Sequence, residues 1–252
     1  IGSAFLAGIG SSISGLSRFL ISYPIGRLTD RFGRKSGVIL GLVLVGSGAS
    51  ITGISAVLNA FPVFLVGMLI MGLGTGAVQQ LRVAAADMYP PNRRAEGLGL
   101  VLTGSLVGAV VSPMLLKVSE MFAGQLGLEP IALAWFFIPI AVVFSVAMVL
   151  RVNPDPIIIA SNLGEYYADY VPPSTPQMRS GKVSILHFLQ HYPKLTAFVS
   201  MFSVQGNMNM MMVMTSVALS HHGHALSAIS VSIAIHVIGM FGFSLPLGRL
   251  AD

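Results

Sequence analysis

The chain has no cysteine in its 252 residues, so disulfide staples, thiolate nucleophiles and cysteine-held metals are all excluded. Charge is scarce too. Asp, Glu, Lys and Arg make up 9% of residues, against roughly 25% in soluble domains. None of the nine carboxylates falls near the middle of a long apolar run, and no metalloprotease or nucleophile-elbow pattern is present. No enzyme, cofactor or bound metal is therefore expected. No initiator Met and no basic leader precede the apolar opening residues, so a fragment cut at both ends is expected, and not a signal peptide.

What the chain has in excess is hydrocarbon. Hydrophobic residues reach 54%, with a mean hydropathy of +0.81. A bilayer core needs roughly 20 apolar residues of helix, and in lipid the backbone must satisfy its own polar groups. An all-α membrane protein follows. Seven stretches qualify: Ala4 to Ile25, Gly37 to Leu58, Pro62 to Ala86, Gly97 to Leu116, Pro130 to Leu150, Leu195 to Leu219 and Ala225 to Leu247.

The connections alternate in charge. Arg27, Arg31, Arg34 and Lys35 lie in the first, Arg93 and Arg94 in the third, and Arg151, Arg179, Lys182 and Lys194 in the long fifth. An excess of Lys and Arg marks the cytoplasmic side, so these three face inward. The second, around Asn59, the fourth, with Lys117, Glu120 and Glu129, and the sixth, with His221, His222 and His224, face outward. Topology thus explains the net charge of +5, and no nucleic-acid partner is expected. The run 151–194 holds six prolines and is the expected cytoplasmic linker between a 1–150 half and the start of a second half, 195–252. Within it, Val183 to Tyr192 is a candidate surface helix with His187 and His191 one turn apart.

One phrase occurs twice. Ser22, Pro24, Gly26, Arg27, Leu28 and Asp30 return 222 positions later as Ser244, Pro246, Gly248, Arg249, Leu250 and Asp252, six identities in nine positions. Each copy follows an apolar run, so two similar halves with the same basic turn are expected. In the first copy Gly33 is expected to supply a left-handed turn. Asp30, among four cations, is placed to accept charge-assisted hydrogen bonds or to cap a helix. Such a cluster can be made and broken as helices slide, which suits a gate.

The full string Gly26-Arg27-Leu28-Thr29-Asp30-Arg31-Phe32-Gly33-Arg34-Lys35 resembles the loop signature of the major facilitator superfamily, Gly-x-Leu-x-Asp-Arg-x-Gly-Arg-Lys, at every fixed position. The resemblance implies a partial helical bundle holding about seven of twelve spans, the second to the eighth. The run Asp87 to Gly97 is similar to the charged connection that members carry after the fourth span. Two positions depart from family patterns: Met68 stands where a mid-span Arg is common, and Ala109 follows Gly108 where the antiporter pattern has Pro.

Membership implies a secondary active transporter moving a small organic solute by alternating access, with the basic turns as the gate: Gly26, Arg27, Asp30, Arg31, Gly33, Arg34 and Lys35, then Gly248, Arg249 and Asp252. Arg82 is expected to pair with Asp87 or a motif acid, forming a cytoplasmic charge network with Arg93 and Arg94. Arg18 is expected to snorkel toward the headgroups. Gln205 and Asn209, four apart on one helix face, are cavity candidates. His236, half way along its span, is a substrate or coupling candidate with protons as the coupling ion. The Met-rich run 208–214 and the shortage of fixed charge favour efflux, with metabolite uptake as the alternative. A third reading is a metal-ion carrier or sensor using His221, His222 and His224. Gly72-Leu73-Gly74-Thr75-Gly76 lies inside a span and reads as close helix packing. A monomer in the cell membrane is expected.

Overall fold

The computed structural model describes residues 4–170, 190 and 192–252. Arg179, Lys182, His187, His191 and most of the candidate helix from Val183 lie outside the described residues. The rest is helical: α1 (Ala4–Phe32), α2 (Arg34–Leu58), α3 (Phe61–Val78), α4 (Gln80–Asp87), a 3₁₀ turn (Pro91–Arg93), α5 (Arg94–Leu126), α6 (Pro130–Arg151), α7 (Pro156–Ser161), α8 (Leu163–Tyr166), α9 (Tyr192–His221), α10 (Leu226–Phe241) and α11 (Ser244–Ala251). Five stretches among the described residues are long and apolar enough to cross a membrane: Arg34–Leu58, Phe61–Asp87, Pro91–Leu126, Pro130–Ser161 and Leu226–Ala251. The two other expected spans lie on α1 and α9, of 29 and 30 residues.

α2 packs between α3 and α6, and α1 lies on α3. Small residues set these distances. A Cβ on Gly72 would strike the backbone of Ser14 on α1, and one on Gly74 would strike the backbone of Val45 on α2. The glycine run is therefore a packing seam, as expected from its place inside an apolar span. Arg18 uses the same seam. Its Nε donates to Thr75 Oγ1 at 3.0 Å, so the guanidinium turns into the bundle instead of snorkelling.

α5 packs on α10 and α11 as well as on α4 and α6. α9 has no buried residue among those described. Large apolar side chains such as Phe19, Val143, Phe144 and Phe202 are exposed. That is ordinary where the solvent is lipid.

Two expected spans are interrupted. The stretch 62–86 divides at Gln79, just after three glycines in five residues weaken the helical ladder. The stretch 225–247 divides at Gly242 and Phe243, which places Pro246 in the first turn of α11, where its missing N–H costs nothing.

Candidate functional site

The first basic turn is hardly a loop. α1 runs on to Phe32 and α2 starts at Arg34, so Gly33 alone joins them. Gly33 has φ +90 and ψ 158, an extended backbone on the positive-φ side that glycine adopts without strain. The sign of φ agrees with the sequence reading. The left-handed helical form expected there is replaced, because α2 restarts immediately and needs an extended residue before its first turn.

Arg34 is the hub of this elbow. Its Nη1 donates to Thr29 Oγ1 at 3.0 Å and to Asp30 Oδ1 at 2.9 Å, and its Nη2 donates to Asp87 Oδ2 at 2.9 Å. Asp30 caps no helix among the described residues. Its side chain is 68% exposed, against 13% for Arg34, so this i,i+4 pair contributes about 0.5 kcal/mol or less. The cap on α2 comes from elsewhere in the chain. Asp155 Oδ1 accepts from the Arg34 backbone N–H at 3.0 Å, and Oδ2 accepts from that of Lys35 at 3.1 Å. Asp155 also caps its own helix, accepting from Ile157 N–H at 3.0 Å. A side chain on Gly33 would collide with this carboxylate, whose Oδ2 lies 2.6 Å from an ideal Cβ.

The second copy does what the first does not. Asp252 Oδ1 accepts from Ala95 N–H at 2.9 Å and Oδ2 from Glu96 N–H at 2.7 Å, so this acid caps α5 across 157 positions of sequence. Arg249 Nε donates to Glu96 Oε1 at 3.0 Å, while Arg93 Nη2 meets Glu96 Oε2 at 2.8 Å. A carboxylate at a helix N-terminus meets unpaired N–H groups and the positive end of the dipole, worth about 1 kcal/mol. Gly248 is buried against the Ala95 carbonyl, and any side chain there would push α11 off α5.

Other predicted residues sit around these elbows. Arg27 lies over the Tyr23 ring at 4.7 Å and Arg31 over Phe32 at 5.2 Å. Lys35 Nζ donates to the Leu150 carbonyl at 3.2 Å, and Arg94 is exposed at the first turn of α5. Gly26 has open space where a Cβ would stand. The expected pair of Arg82 with Asp87 does not form, because Asp87 is taken by Arg34. Tyr167, which sequence reading passed over, donates to the Met88 carbonyl at 3.1 Å and packs on Tyr89, whose ring lies 5.9 Å from the Arg93 guanidinium. Burial pushes the Tyr167 phenol above its ordinary value, so it stays a donor at neutral pH. Asp155 was missed as well. The signal available was an acid directly before Pro156, a helix-start pair.

The cavity candidates are less gathered. Gln205 and Asn209 are exposed on α9 and make no hydrogen bond to a described residue. His236 lines a cavity of about 100 Å³ with Met211, Met212, Thr215 and Ser232. A larger one, about 290 Å³, lies between α5 and α10 and has no ionisable side chain; hydroxyls such as Ser105, Ser112 and Ser230 share its wall with Ile233 and Val237. His221 ends α9 and His222 and His224 follow it, all three exposed, and among the described residues no three metal-ligating side chains gather.

An all-helical bundle of membrane-spanning length, with repeated charged elbows gathered at one end, defines a polytopic membrane protein. The profile of the Major Facilitator Superfamily matches residues 1–252, and the chain belongs to that family. It is similar to the MFS-type transporter YddS of Bacillus subtilis, 28% identical over all of this chain and 57% of the relative. YdeG of the same organism is 27% identical, with the same coverage. The riboflavin transporter RfnT of Brucella anthropi is 26% identical, over 95% of this chain and 56% of the relative. The chain thus spans a little over half the length of these curated relatives.

Proposed function

We propose that this chain is part of a secondary transporter that moves a small organic solute across the cell membrane by alternating access. Residues 1–150 belong to one half, 195–252 open the second, and 151–194 connect them. The observation that carries this is the grip of α11 on α5. Asp252 and Arg249 hold the start of α5 by two backbone hydrogen bonds and one ion pair, all between exposed or half-exposed groups. Contacts of this kind hold one arrangement yet yield for about 1 to 2 kcal/mol, the size a transport cycle can reverse.

The uncharged cavity between α5 and α10 and the Met211 and Met212 wall beside His236 support a neutral, mainly apolar solute, and with it efflux. Protons are the coupling ion to test first, with a monomer as the working unit. The test uses the full-length protein in vesicles, with labelled riboflavin, named for one relative, among the first solutes. Accumulation in inside-out vesicles that collapses in Asp252→Asn supports the reading. Equal uptake in both proteins defeats it.

A further inference from the structure

α5 carries a second contact of the same kind at its far end. Glu120 Oε1 accepts from the backbone N–H of Ser227 at 2.9 Å. Ser227 lies in the first turn of α10, whose own start at Ala225 has no side-chain cap. Glu120 therefore stands to α10 as Asp252 stands to α5.

The placement is reciprocal. Twenty-five positions separate Ala95 from Glu120, and twenty-five separate Ser227 from Asp252. Along α5 that is about 37 Å at 1.5 Å per residue, more than the roughly 30 Å of a hydrocarbon core, so the two contacts lie on opposite sides of it. Each member of this antiparallel pair, α5 and the run of α10 and α11, offers an acid near its end to the start of the other. The cavity of about 290 Å³ lies between the two contacts.

The outer end of α5 is also well fixed to its own side. Ser119, fully buried, donates from its hydroxyl to the Pro130 carbonyl at the start of α6, and Ala123 is buried one turn on. Glu120 itself is half-buried. It thus links a braced strut to the start of α10.

We propose that Glu120 is the outer gate residue of this transporter, closing the α5–α10 cleft from outside as Asp252 closes it from inside. This rests on the alternating-access reading above. With both contacts made, α5 and α10 are clasped on either side of the cavity, and breaking either one frees a single end.

The test uses the full-length protein, otherwise free of accessible cysteine, with Ser230→Cys as a probe in the cleft. A membrane-impermeant maleimide is applied from one side at a time. Glu120→Ala is expected to raise labelling from outside about fivefold, the usual worth of a helix cap, with labelling from inside unchanged; Glu120→Gln, which keeps an acceptor and loses the charge, is expected to raise it about twofold. Asp252→Asn should do the opposite, raising inside labelling only. A one-sided change cannot come from general loosening of the fold. If Asp252→Asn acts from inside while both Glu120 variants leave outside labelling as it was, the outer gate is wrong and alternating access stands. Should neither site change labelling on its own side, both ideas fall.

Discussion

The two copies of the basic turn share Ser, Pro, Gly, Arg, Leu and Asp at the same spacing, yet their acids do different work. Asp252 caps α5, while Asp30 is left in an exposed pair with Arg34 one turn away. What differs is the neighbour. α5 presents its open N-terminus to the second copy, and no described helix stands in that relation to the first. Among the described residues, the same local sequence caps a helix start in one place and pairs with Arg34 in the other. The first elbow also carries a glycine at φ +90 and a cap lent by Asp155.

The largest effect is expected from Gly33→Val, which forces a branched side chain into a positive-φ position against the Asp155 carboxylate. It should lower the stability of the detergent-solubilised protein by about 3 kcal/mol, read as a drop in Tm, whereas Gly248→Val should abolish transport with a much smaller change in Tm. Equal shifts in Tm would erase the distinction between a structural elbow and a latching one. Next comes Asp155→Ala, which uncovers the Arg34 and Lys35 N–H groups and should cost about 1 to 2 kcal/mol. Arg34→Lys keeps the charge but cannot reach Thr29, Asp30 and Asp87 together, and a loss of about 1 kcal/mol is expected by the same measurement. Smallest is Asp30→Asn, at about 0.5 kcal/mol or less in stability. If its transport falls severalfold all the same, Asp30 finds a second partner in another state of the cycle.

Composition and the long apolar runs set the medium and the all-helical class, and the alternation of Lys and Arg between connections set the gathering of charged turns at one end. The basic turn was legible as a string of residues, and Arg34 as part of it. The partners were not. Asp155 meets Arg34 across 121 positions and Asp252 meets Ala95 across 157, and no local periodicity encodes such a pairing. Of the partners expected for Arg82, Asp87 lay five positions away in sequence, and tertiary packing gave it to Arg34. The break at Gln79 was hidden as well, since Gly72 to Gly76 reads equally as a packing seam and as a weak ladder, and here it is both.

The single helix that is gripped at both ends also has a fixed gauge. Removing one residue between Ala95 and Glu120 would swing the outer carboxylate by about 100° around the axis and draw it in by about 1.5 Å, while Asp252 kept its hold on the inner end. An indel in that stretch would thus unfasten one face of the membrane alone, although every side chain that makes a bond was still present.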